Sequence, residues 1–230
     1  MKKFVYFLFA LLISVPSAFA QKMLKEGYVK MELTKASSDN EEMAMAIGMM
    51  EGSVTELYFK QDMYATKMNM MGGMIEMKTL VNSASNTMDM LFNAGGQKMW
   101  INSTLDEASK SNADVTKDAK ITYDYNDKKV IAGYNCFKMM IDVPGENEMK
   151  ITGYVTKEIA TDANLIQGMQ SLKFEGYPME YTVVNPMMSL TMSAKEVKET
   201  VDASQFQLKT DGYKKMTMDE FQKAMGGFGF

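Results

Sequence analysis

The chain has 230 residues, a formal net charge of −4, 27 methionines, one cysteine and no histidine. The missing histidine excludes Ser-His and Cys-His nucleophilic machinery and removes the commonest zinc ligand, which one cysteine does not replace. An acidic balance without a basic run argues against nucleic acid and anionic membrane surfaces as partners, and a lone cysteine forms no internal disulfide.

Residues 1–20 read as a cleavable export signal. Lys2 and Lys3 precede an apolar run from Phe4 to Val15, and Ala18-Phe19-Ala20 places small residues where a signal peptidase reads them. The apolar run is too short to span ~30 Å of hydrocarbon. Cleavage after Ala20 leaves 210 residues with a charge of −6, enough for a single domain over 21–230. Export to the periplasm, the outer surface or the medium is expected.

Val29, Met31 and Leu33 alternate with Lys30 and Glu32, marking a half-buried strand. Residues 43–50 are apolar and methionine-rich. They form either a short helix, with Asp39 or Asn40 at its cap and Glu41 and Glu42 in its first turn, or a mobile flap, and in one reading of the chain as an exported interaction module this segment binds another protein. From Val54 to Ser103 the pattern predicts consecutive antiparallel strands: 54–60, 63–70, 74–81, 87–92 and 97–101. Gly72-Gly73 and Gly95-Gly96 supply turns. Thr104-x-x-Glu107 is a capping box that opens a helix over 105–111.

Ile121, Tyr123 and Tyr125 alternate, and Asn126-Asp127 reads as a turn. The stretch VIAGYNCFKMMIDV at 130–143 predicts a tight entry at Gly133. A long strand follows, with Phe137, Met139, Ile141 and Val143 on one face and sheet on both sides. It holds Cys136, either a buried apolar residue or a free thiol, with burial the usual state of an unpaired cysteine. Strands at 149–156, 179–184 and 189–197 follow, with Gly176-Tyr177-Pro178 read as a break. A helix capped by Thr161 or Asp162 is expected over 163–172. The last helix starts at the capping box Thr217-x-x-Glu220, with Met216 and Phe221 as its staple, and Gly226 ends it. Residues 226–230 form a loose tail. The total is about ten strands against about three short helices. Without helical crossovers, the sheet should be antiparallel.

The methionines have three readings: core filler in place of leucine, a deformable apolar groove, or a soft Cu(I) site. Met68, Met70 and Met71 beside the glycine turn are the metal candidates. Asp106 with Glu107, and Glu196 with Glu199, are better explained by helix-dipole and solvation effects than by acid–base catalysis.

The ordered segments KVIAGYNC (129–136), GYPMEY (176–181), AKEV (194–197) and GYKKM (212–216) resemble an exported bacterial domain of unknown function, number 4412 in its series. That domain is similar to the periplasmic lipoprotein-carrier, or LolA-like, superfamily. The resemblance implies a mainly β fold: a curved antiparallel sheet or incomplete barrel with helices over its concave side. Lipid, acyl chain or another apolar ligand would lie between sheet and helices. The implied role is non-enzymatic, needs no cofactor, and leaves room for an envelope protein as partner. On this sequence the implied lining is Met77, Met88, Met90, Trp100, Phe137, Met139, Ile141, Met179, Tyr181 and Met192.

Overall fold

The computed structural model describes residues 23–110, 118–145, 148–161, 163, 166 and 172–226. The proposed signal segment, most of the expected 163–172 helix and the last four tail residues lie outside this set. Twelve strands are described: β1 (Glu26–Ser37), β2 (Val54–Lys60), β3 (Met63–Met70), β4 (Ile75–Asn82), β5 (Thr87–Ala94), β6 (Gln97–Thr104), β7 (Lys120–Ile131), β8 (Tyr134–Val143), β9 (Met149–Thr156), β10 (Tyr177–Val184), β11 (Ser189–Lys198) and β12 (Lys214–Met216). They form one sheet in the order β12-β6-β5-β4-β3-β2-β1-β11-β10-β9-β8-β7. The sheet is curved and unclosed, with β7 and β12 at its edges. All pairings are antiparallel except β12 on β6.

Most neighbours in the sheet are also neighbours in the chain, and glycine turns join three of these pairs, β3–β4, β5–β6 and β7–β8. Gly72, Gly73, Gly95, Gly96 and Gly133 all take positive φ, the conformation tight turns demand. Curvature has a local cause as well. Register shifts interrupt β1 on β11 twice, β10 on β9 once and β7 on β8 once, and each bulge bends its strand.

Two sequence expectations change here. Asn126-Asp127 is a bulge, not a turn: β7 continues to Ile131, and the Asp124 carboxylate accepts from the backbone N–H groups of both residues. The chain reverses at Ala132-Gly133. Tyr177-Pro178 does not break the chain either, since β10 starts at Tyr177. Pro178 faces only β9, because β11 joins from Glu180 onward, so its missing N–H costs no second ladder bond. The 134–143 strand has sheet on both sides, β7 and β9, and is the last but one in the order.

Three α-helices are described. In α1 (Glu41–Gly48), Asn40 Oδ1 accepts from the N–H groups of Glu42 and Met43, and Ile47 is the buried anchor. In α2 (Leu105–Lys110) the Thr104–Glu107 box forms as expected. In α3 (Met218–Gly226) Thr217 and Glu220 exchange hydrogen bonds, and Phe221 meets Phe92 edge-on at 5.5 Å.

Direct cross-strand partners share a face of a sheet, so the register sorts the side chains. One face carries Met31 and Leu57, Met68 and Met77, Phe92 and Met99, and on the other side Tyr181, Gly153 and Met139. It holds two buried clusters. The larger spans β1, β2 and β8–β11 and is topped by Ile159, Ala163 and Ile166. The smaller comprises Phe92, Met99 and Ile101 under Met216 and Phe221. The opposite face is the more polar one, carrying Lys30, Glu56, Lys67 and Lys78, but it also buries Ala65 and Leu91. The β11–β12 connection crosses it, with Lys67 Nζ donating to Gln205 Oε1 at 2.7 Å and Lys78 Nζ to the Gln207 carbonyl at 2.5 Å.

Candidate functional site

Nine of the ten lining candidates fall on the helix-bearing face: Met77, Met88 and Met90 on β4 and β5, Phe137, Met139 and Ile141 on β8, Met179 and Tyr181 on β10, and Met192 on β11. Trp100 does not. It pairs with Leu91 on the opposite face, where its Nε1–H donates to Asp89 Oδ1 at 2.8 Å and Lys215 Nζ stands 4.7 Å over its ring. Periodicity alone could not separate Trp100 from its neighbours. The parity of β6 against β5 does.

The nine split by burial. Phe137, Met139, Ile141, Met179 and Tyr181 are packed core of the larger cluster, none more than 9% exposed. Burial pushes the Tyr181 hydroxyl above its ordinary pKa, as expected of a ring sealed from water. Gly153, directly opposite both Met139 and Tyr181, leaves no gap: a Cβ there would stand 2.5 Å from the Glu180 carbonyl oxygen. These five residues are filled space.

Met77, Met88, Met90 and Met192 are half-buried. Three of them lie on β4 and β5, beside β3, and of these Met77 and Met90 pack against the smaller cluster. There the face is made of Thr66 opposite Thr79, Met68 opposite Met77, and Thr79 opposite Met90. Met68 is half-buried too. The result is a methionine-lined strip, walled by Leu57 and Phe59 on one side and by Phe92 under α3 on the other. Unbranched thioether side chains at such a place can repack around an apolar guest.

The metal candidates lie at one end of this strip. Met68 and Met70 share its face, while Met71 sits in the turn with φ 52°. Among the described residues no group of three or more His, Cys, Asp or Glu side chains is placed to hold a metal ion.

Two open pockets lie elsewhere. One of about 440 Å³ is lined by Lys30, Glu51, Glu56 and Asn69 around the β3–β4 turn. The other, about 560 Å³, is lined by Lys25, Asp62, Lys157 and Thr161 at the other end of the sheet. Both have mixed polar walls, and none of the ten candidates lines either.

Cys136 is buried at 2% exposure, and its Sγ–H donates to the Tyr134 carbonyl at 3.4 Å. Burial pushes its thiol up to about 12. The carboxylates considered for acid–base work have structural partners. Glu107 closes the cap of α2 and accepts from Ser103 Oγ, Asp106 accepts from Asn86 Nδ2, and Glu196 pairs with Lys198. No helix among the described residues is long and apolar enough to cross a membrane.

Comparison with solved structures aligns this chain with MucB and LprF among others. MucB aligns at a TM-score of 0.34 with 7% identity, over 84% of this chain and 60% of that one. LprF from Mycobacterium bovis aligns at 0.34 with 12% identity, over 78% of this chain and 89% of that one. The chain therefore spans less than two thirds of the length of MucB. No protein-family model and no curated protein matches it.

Proposed function

We propose that this chain is an exported, non-enzymatic envelope protein of LolA-like type that holds a lipid, an acyl chain or another apolar ligand on its methionine-lined strip. The observation that carries this reading is the half-burial of Met68, Met77, Met88 and Met90 on one face, where Met77 and Met90 lean on the smaller cluster without being sealed by it. An acyl chain laid along the strip would bury apolar surface at about 25 cal/mol per Å². Flexible thioethers would let it enter and leave without backbone movement. The signal-like residues 1–20 support export. The resemblance to domain 4412 rests on the sequence segments quoted above alone, since no family model matches the chain.

Native mass spectrometry after gentle purification, with titration by a fluorescent fatty acid, tests the proposal. Bound ligand, or uptake that Met77→Glu and Met90→Glu abolish together, supports it. A clean apo mass with no uptake defeats it.

A second reading has one observation in its favour. Met68 and Met77 stand directly opposite each other, with Met70 two residues along the same face, so three thioethers converge on a short stretch of β3 and β4. Thioethers suit Cu(I). A Cu(I) titration under reducing conditions separates the readings, since affinity no better than that of free methionine removes this one.

A further inference from the structure

Four of the six exposed methionines among the described residues gather at one end of the sheet; Met23, 54% exposed, and Met140, 37% exposed, lie elsewhere. Met45 and Met49 belong to α1 and its end, Met74 to the β3–β4 turn and Met187 to the β10–β11 turn. These segments are far apart in sequence, yet the register brings them to one end of the sheet. Val54 at the start of β2 pairs with Asn69 near the end of β3, and Ser37 at the end of β1 pairs with Ser189 at the start of β11. The Ser38 hydroxyl, just before α1, donates to the Met187 carbonyl at 2.6 Å. The four thioethers are 58–79% exposed, whereas Met31, Met99, Met139 and Met179 are at most 5% exposed.

Two further facts bear on what such an end does. The one thiol, normally a faster reductant than a thioether, is buried and held protonated, so it does not compete. α1 is anchored by its Asn40 cap and by Ile47, not by its exposed thioethers. Those thioethers can change chemically without unfolding the helix.

We propose that the α1 end of the sheet is a two-electron oxidant sink, in which exposed methionines consume small electrophilic oxidants of the hypohalous acid class before the core methionines are reached. With hypochlorous acid the sulfur lone pair attacks chlorine, the Cl–O bond breaks and hydroxide leaves. Water then adds to the chlorosulfonium sulfur, and chloride departs with the S–Cl electron pair. Two protons are lost, one of them to the hydroxide. One thioether and one hypochlorous acid give one sulfoxide and one hydrochloric acid, with sulfur oxidised by two electrons and chlorine reduced by two. The product is polar. At an exposed site that polarity is met by water, whereas at Met139 or Met179 it would be buried without a partner.

The test uses the full chain and limiting hypochlorite, with site-resolved peptide mass spectrometry and a thermal melt after each dose. The expected result at four equivalents is sulfoxide at Met45, Met49, Met74 and Met187 at least ~10-fold above that at Met31, Met139 and Met179, with an unchanged melt. In the M45L/M49L/M74L/M187L variant, core sulfoxide and loss of the melt should appear at half the dose or less. Even oxidation across exposed and core sites in the parent overturns the proposal. So does a leucine variant that tolerates the same dose as the parent. Should that variant not fold, the site-resolved ratio in the parent decides alone.

Discussion

Cys136 carries the one thiol in the chain, intrinsically its strongest nucleophile near neutral pH, and its surroundings predict that it is inert. The side chain lies under the larger cluster at 2% exposure, and burial moves its thiol from an ordinary 9.0 to about 12. At neutral or mildly alkaline pH each unit above the ambient value costs a factor of ten in thiolate, so this rise removes roughly 1,000-fold of the nucleophile. Steric exclusion adds to that. The perturbation is unfolding itself. At pH 8, reaction with a chromogenic aromatic disulfide should run at least ~1,000-fold faster in concentrated guanidinium than in native buffer. Cys136→Ser should abolish the signal in both. A native rate within tenfold of the unfolded one would refute the reasoning and reopen a nucleophilic role.

Stability should fall as the solution is made alkaline. Cys136, Tyr177 and Tyr181 all hold their protons more tightly when folded than when unfolded. Their contribution is therefore complete below the ordinary values of these groups, near 9 for the thiol and 10 for the phenols, and falls as pH rises above those values toward the folded ones; denaturant midpoints from pH 7 to 11 would record the onset of that fall. Gly153→Ala should cost about 1–3 kcal/mol, because its Cβ meets a backbone oxygen at 2.5 Å as well as Tyr181, so adding Tyr181→Ala should not rescue it in a denaturant series. Phe221→Ala removes the edge-on contact with Phe92 and should free α3 at a cost of about 2 kcal/mol, visible as faster hydrogen exchange over 214–226 without loss of the β8–β10 core.

Much of the sheet is legible in the sequence, because it is a series of hairpins. Alternation of period two and glycine pairs mark most of the β2 to β6 run, and each capping box announces its helix from three residues. The errors fall where a polar pair serves the ladder rather than ending it. Asn126-Asp127 has the composition of a turn but is a bulge, because the Asp124 side chain satisfies the two N–H groups the bulge frees. Tyr177-Pro178 has the composition of a break, but only one neighbour strand lies beside it. β12 escaped notice because three residues carry no period; it exists because the connection crossing the more polar face delivers it to β6. The candidate site was legible only as a list of inward positions. Which of them are core and which are strip depends on the order β12-β6-β5-β4-β3-β2-β1, a non-local fact that alternation does not encode.

That order also bears on why methionine is used so heavily. In the packed core, methionine and leucine are nearly interchangeable, since volume-conserving swaps cost less than about 1.5 kcal/mol. Core packing at Met31, Met99, Met139 and Met179 gives no reason to prefer a thioether. The preference must arise where the two side chains differ, in adaptability and in chemistry with oxidants. Met→Leu at any one of the four core positions should therefore cost less than about 1.5 kcal/mol and leave fatty-acid uptake unchanged. Met→Leu at Met68, Met77 and Met90 should leave the melt unchanged, because these residues are half-buried. It should nevertheless narrow the range of acyl lengths bound, measured as the spread of affinities across a chain-length series, because leucine has fewer ways to reshape the strip. Equal spreads for the strip variant and the parent would mean that the thioethers there are filler like the rest.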